Sequence, residues 1–236
     1  MYKGLYTAYT GMINEQHRMD VLTNNLANAD TNGFKKEGAT SQSFDTVLAL
    51  KIKDASEPCN VPRNIGNANL GVKIGENYTD YSQGAFKVTG NTYDLAISGD
   101  GFFNVEFTNK AGATSTKYTR DGAFVASTDG YLMTKDGDYV LGKAGRIQLS
   151  TTAGKTEIDR NGDIYQDGQL KAKLQLTKFE DNNYLTHYGE TMWDVKEGAK
   201  ALDADEAQVH QGYLEMSNIS VVKEMVNLIT ISRQYE

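Results

Sequence analysis

With 236 residues, 39% hydrophobic and 23% charged, the chain has the composition of a folded protein long enough for one large domain or two small ones. A net charge of -7 argues against a nucleic-acid partner, and a single cysteine, Cys59, excludes an intrachain disulfide or a cysteine-based metal cluster. No run reaches the ~18 apolar residues of a membrane span, and Met1-Tyr2-Lys3-Gly4-Leu5-Tyr6 lacks the uninterrupted apolar core of a secretory signal. Neither membrane insertion nor a cleaved leader is expected.

The chain opens on a helical pattern. Leu5, Met12, Met19 and Leu26 stand seven apart, with Ala8 or Tyr9 and Leu22 between them, a stripe of the kind that packs against other helices. Glu15 and Gln16 interrupt the seam and weaken the case for a simple two-stranded coil. Residues 22–36 should end the helix. Asn32-Gly33 is a turn dipeptide, because glycine accepts positive φ and asparagine reaches it more easily than most residues.

Residues 31–70 read as an irregular connector. The segment is polar, holds both prolines, Pro58 and Pro62, and is rich in asparagine (Asn60, Asn64, Asn67, Asn69). Phe44, Val47, Leu48 and Leu50 offer one short contact, and Cys59 beside Pro58 reads as an incidental thiol.

Residues 71–195 carry the signals of a β domain. Phe103, Val105 and Phe107 alternate with polar neighbours, as do Leu170, Ala172, Leu174 and Leu176. Asp-Gly pairs at 100, 121, 129, 136 and 167 and Asn-Gly at 161 mark turns, and those at 121, 129 and 136 fit short hairpins in a meander. This segment alone should bury a core and stay folded as a fragment, with Trp193 closing it. Residues 196–211 form a return connector.

A second helix is expected within 212–236, capped by Ser217 or Asn218. Leu214, Val221, Leu228 and Tyr235 stand seven apart, and Val222, Val226 and Ile229 form an adjoining row. That arc is too wide for one partner, so the helix should be covered from more than one side. An isolated pair of terminal helices would be marginal, ordered only when neighbouring molecules cover the remaining apolar faces.

No motif carries catalysis. Asp159-Arg160-Asn161-Gly162-Asp163 begins like a calcium loop but has Ile164 at the sixth position and Leu170 at the twelfth, so it reads as a turn. Gly99-Asp100-Gly101 reads as a hairpin rather than a dinucleotide loop. His17, His187 and His210 are scattered, and no Gly-x-Ser-x-Gly appears. Catalytic, cofactor-binding and metal-binding residues are therefore assigned as none.

Asn24-Asn25-Leu26-Ala27-Asn28, followed by Thr31, Gly33, Phe34 and Lys35, resembles the N-terminal motif of bacterial flagellar axial proteins, the rod, hook and hook-associated subunits. Gln83-Gly84, Thr89-Gly90-Asn91, Asp94-Leu95-Ala96-Ile97, Gly99-Asp100-Gly101-Phe102-Phe103 and Tyr118-Thr119-Arg120-Asp121-Gly122 stand in the order found in that family. Ser217-Asn218-Ile219-Ser220-Val221-Val222-Lys223-Glu224-Met225-Val226 resembles its C-terminal helix motif. Hook proteins usually carry a larger outer insertion, so the chain is similar to the basal-body rod type. Family members usually continue their last helix past the point where this chain stops at Glu236, which implies a truncated C-terminus.

The resemblance implies a mainly β fold with paired terminal α-helices: a central all-β hook/rod-type domain plus a discontinuous helical coiled-coil domain from residues 1–30 and 212–236. It implies a structural subunit, not an enzyme, that self-assembles into a helical tubular drive shaft transmitting torque from motor to hook. Its partners would be copies of itself, other rod and hook proteins and the flagellar export apparatus, with no cofactor and no small-molecule substrate. The expected self-assembly interface comprises Leu5, Met12, Met19, Leu22, Asn24, Asn25, Leu26, Asn28 and Phe34 with Val221, Val222, Met225, Val226 and Ile229. For the asparagines, local capping of the helix end competes with bridging between subunits. Three other readings stand beside this one: a monomeric β-domain binding module with its helices packed on it, a hook-type axial subunit, and a carboxylate-based hydrolase acting on the cell wall.

Overall fold

A computed structural model describes residues 2–51, 63–110, 112–151, 154–204 and 206–236. Pro58, Cys59 and Pro62, singled out above, lie outside the described residues. The chain divides into two compact units, each built from discontinuous stretches: Met1–Ala27, Glu37–Asp80 and Ser220–Glu236 form the first, Asn28–Lys36 and Tyr81–Ile219 the second.

The first unit holds both helices, α1 (Tyr2–Ala27) and α2 (Val221–Tyr235), packed against each other. Helix α1 stops before the Asn32-Gly33 turn, where Thr31 Oγ1 donates to Asn28 Oδ1 at 3.2 Å and Thr31 N to Asn28 O at 3.3 Å. Such local bonds compete with continuation of the helix. Helix α2 begins later than expected. Its N-cap is Ser220, with no side-chain capping bond, and neither Ser217 nor Asn218 fills that role.

Residues 37–51 and 63–68 depart from the irregular connector read over 31–70 in the sequence. Glu37–Ser43 pairs antiparallel with Val72–Thr79, from Glu37 opposite Thr79 to Ser43 opposite Val72, with a register shift between Ala39 and Ser41. Val47–Lys51 pairs with Arg63–Ala68. A lone two-stranded ribbon is marginal in water, and the first of these is tied to α1 by side chains. Asn25 Nδ2 donates to Glu37 O at 2.7 Å while Glu37 N donates to Asn25 Oδ1 at 3.0 Å. Asn14 Nδ2 donates to Ser41 Oγ at 2.9 Å, and His17 Nε2 lies 3.0 Å from Asn77 Oδ1. Of the asparagines that suggested loops, Asn64 and Asn67 lie in the strand Arg63–Ala68 and Asn69 follows it, while Asn60 lies outside the described residues.

The second unit is all β. Its main sheet runs Leu185–Tyr188, Met192–Val195, Thr114–Thr119, Phe102–Thr108, Tyr139–Gly142, Leu132–Met133, Val125–Ala126, with Leu176–Phe179 bridging Phe102–Thr108 to Ala201–Asp203. Beside it lie a three-stranded sheet (Thr156–Ile158, Asp163–Gln166, Gln169–Lys173) and two pairs, Leu95–Ser98 with Gln208–Gln211 and Phe86–Val88 with Tyr213–Glu215. Alternation along Phe102–Thr108 feeds two cores. Phe103 and Val105 join Leu95, Ile97, Leu132, Val140, Ile164 and Val209, whereas Phe102 joins Phe179, Leu185 and Trp193. Trp193 is fully buried, as expected of a residue closing this domain.

Several expectations are corrected by the strand partners. Gly99-Asp100-Gly101 is no hairpin, because Leu95–Ser98 pairs with Gln208–Gln211 and Phe102–Thr108 pairs elsewhere. Asp129-Gly130 and Asp136-Gly137 do join paired strands, but Asp121-Gly122 does not. There Leu95 N donates to Gly122 O at 3.0 Å, and a Cβ on Gly122 would lie 1.7 Å from Leu95 O, so only glycine fits. Leu170 is exposed, since the alternation read through Leu176 spans two strands in different sheets. Asp159–Asp163 is a tight connection, with Gly162 N donating to Asp159 O at 2.9 Å.

The domain limits also move. The region expected as a return connector, 196–211, supplies Ala204, Ala207 and Val209 to the larger core and two paired strands. A fragment limited to 71–195 would lose that closure and is not a self-contained unit.

Candidate assembly interface

Helix α1 is amphipathic in the reverse of the usual sense. The face turned into its own unit carries Asn14, Val21 and Asn25, all buried, spaced so that they share one stripe. The exposed stripe carries Leu5, Tyr9 and Met12, with Tyr6 and Ile13 beside them. Polar side chains line the inside because the ribbon they hold presents main-chain and side-chain polar groups. The apolar side is left for something else.

Helix α2 repeats the arrangement. Glu224 and Ile231, one heptad apart, are buried, while Val221, Val222, Met225, Val226 and Ile229 are exposed, Val222 to 74%. Single exposed apolar residues need no explanation, but a row of them along a helix marks an interaction surface. Burying each would contribute about 1.5–3 kcal/mol.

The expected interface residues therefore separate. Leu5, Met12, Val221, Val222, Met225, Val226, Ile229 and Asn24 are exposed, and Met19, Leu22, Leu26 and Asn28 are half-buried. Asn25 and Phe34 are not free for a neighbour. Asn25 is fully buried by its two bonds to the Glu37 backbone, so it is a local tie rather than a bridge. Phe34, 1% exposed, lies in the second unit with its ring 6.2 Å from that of His187, which in turn is 5.6 Å from Trp193. Leu214, placed on the last helix by its spacing, is instead buried in the strand Tyr213–Glu215. Tyr6, Tyr9 and Ile13 extend the exposed face and follow from the same helical spacing.

A buried ionic cluster escaped sequence reasoning. Glu215 Oε1 accepts from Lys35 Nζ at 2.6 Å and from Gly84 N at 3.0 Å, and Oε2 accepts from Arg120 Nη1 at 3.2 Å. Lys35 Nζ also donates to Ser82 O, and Arg120 Nη2 to Gly99 O. Two cations and one carboxylate come from sequence segments that nothing local relates. Gly33, at φ 69°, lets the chain pass against Arg120 and Asp121, where a Cβ would lie 2.4 Å from Asp121 N.

Among the described residues no helix is long and apolar enough to cross a membrane. Family models match three stretches: Flagella basal body rod protein over 5–35, Flagellar hook protein FlgE/F/G D1 domain over 96–166, and Flagellar basal body rod FlgEFG protein C-terminal over 210–236. The chain is 30% identical over 237 residues to the flagellar basal-body rod protein FlgF of Caulobacter vibrioides, covering 100% of this chain and 90% of that protein. It is 32% identical over 248 residues to FlgG of Agrobacterium fabrum, covering 99% and 92%, and 30% identical over 257 residues to FlgG of Bacillus subtilis, covering 100% and 92%. Matched in this way across almost the whole of its relatives, the chain belongs to the flagellar basal-body rod protein family and is a structural subunit of the rod.

Proposed function

We propose that the chain assembles into the rod through the exposed apolar faces of α1 and α2, around Leu5, Met12, Val222, Val226 and Ile229. The observation that carries this is the inverted amphipathicity of the helices: each turns a polar or mixed face inward and leaves aliphatic side chains in water. Such a free chain is incomplete, and covering those faces with equivalent helices of neighbouring subunits supplies what its own unit lacks. Contacts that repeat head to tail without closing give a helical polymer, suited to a drive shaft that passes torque from motor to hook. Partners are copies of the same chain and other axial proteins. The export apparatus delivers the chain, and the protein acts by shape and stiffness rather than by catalysis.

A monomeric binding module is disfavoured by so much aliphatic surface on two paired helices. Sedimentation of the purified chain across a concentration series tests the choice. The expected result is a mass that rises with concentration together with helical circular dichroism. A strictly monomeric species whose helix content does not change would overturn the assembly reading.

A further inference from the structure

Glu215 and Lys35 stand 180 positions apart, yet the chain's entry into the second unit is bonded directly to its exit. Gly33 N donates to Glu215 O at 2.8 Å, Lys35 Nζ to Glu215 Oε1 at 2.6 Å, and Lys36 N to Asn218 Oδ1 at 2.8 Å. The Lys35 and Glu215 side chains are 1% and 0% exposed, so water does not compete for the ion pair. Arg120 holds the other carboxylate oxygen. Charge-assisted hydrogen bonds in a dry site are the strong ones.

We propose that this cluster is a mechanical clamp. A pull on the chain from either side of the unit crosses from 33–36 to 215–218 through these bonds and does not load the strands between them. The β domain is thereby shunted out of the force path and keeps its shape while the chain at its neck carries tension. The inference deepens the reading of the protein as a load-bearing subunit and rests on it, but it concerns bonds within one chain. Its test uses single molecules, so failure of assembly and failure of the clamp are separate results.

The full chain is tethered by its two ends and held at constant force. Wild type should release the chain between Lys35 and Glu215, which includes Glu37–Asp80 of the first unit, in one step of roughly 600 Å. Lys35→Met removes the ionic bond between entry and exit but leaves the two main-chain bonds from Gly33 and Lys36 and the Arg120 to Glu215 pair. It should keep the native emission of Trp193 at rest and shorten the lifetime of that step by about tenfold or more. Glu215→Gln should shorten it further, while Lys143→Ala, which removes an exposed bridge to Asp203, should not change it. A Lys35→Met lifetime within about twofold of wild type would overturn the clamp. So would release of the wild-type domain in several smaller steps, or loss of native Trp193 emission in Lys35→Met at rest.

Discussion

Val222→Asp should abolish rod assembly and motility while leaving the unfolding of the second unit unchanged. In the free chain this side chain is 74% exposed on α2, so a carboxylate there stays hydrated and changes stability by only about 0.5 kcal/mol or less. On the proposed interface, assembly into the rod covers the same position with apolar neighbours. An unpaired carboxylate buried there costs several kcal/mol, roughly a factor of ten in association for every 1.4. Every copy carries the change, so the penalty recurs at each added subunit. The readouts are swimming, electron microscopy of basal bodies and urea unfolding followed by Trp193. Leu26→Asp, which the sequence suggests equally, is the poorer test, since Leu26 is half-buried in its own unit and assembly and folding would be disturbed together.

Glu215→Gln should have the largest effect on stability. The carboxylate contacts two buried cations, Lys35 at 2.6 Å and Arg120 at 3.2 Å. The amide keeps one acceptor, turns an N–H group toward a cation and removes the negative charge that both cations share. Breaking such a buried arrangement from one side costs about 3–5 kcal/mol, a large part of the stability of a domain. Lys35→Met should cost less, because the remaining Arg120 and Glu215 form a neutral pair. Urea midpoints from Trp193, the single tryptophan, rank the two, and an unchanged slope shows that the same surface unfolds. Equal midpoints would show that loss of the shared carboxylate does not control the cost.

Residues whose neighbours are close in sequence were legible. The period of α1, the turns at Asp129-Gly130 and Asp136-Gly137, and the core role of Trp193 all follow from local pattern. What failed is non-local. Leu214 fits a heptad only because its true partner strand, Phe86–Val88, lies far away in the chain. The ribbon of Glu37–Ser43 and Val72–Thr79 was not legible, because asparagine and histidine side chains of α1 hold it. The heptads of α1 located its apolar stripe, but a pattern rule assigns that stripe to the protein's own core, whereas the structure buries the opposite face. Lys35, Arg120 and Glu215 carry no spacing signal, since their meeting depends on the completed sheet topology.

The assembly claim is tested most directly by thiol labelling of Val222→Cys in a Cys59→Ser background, measured on the free chain and on isolated basal bodies. The account predicts rapid labelling of the free chain and protection in basal bodies, because the exposed face of α2 becomes the contact between subunits. Labelling at the same rate in both would contradict it.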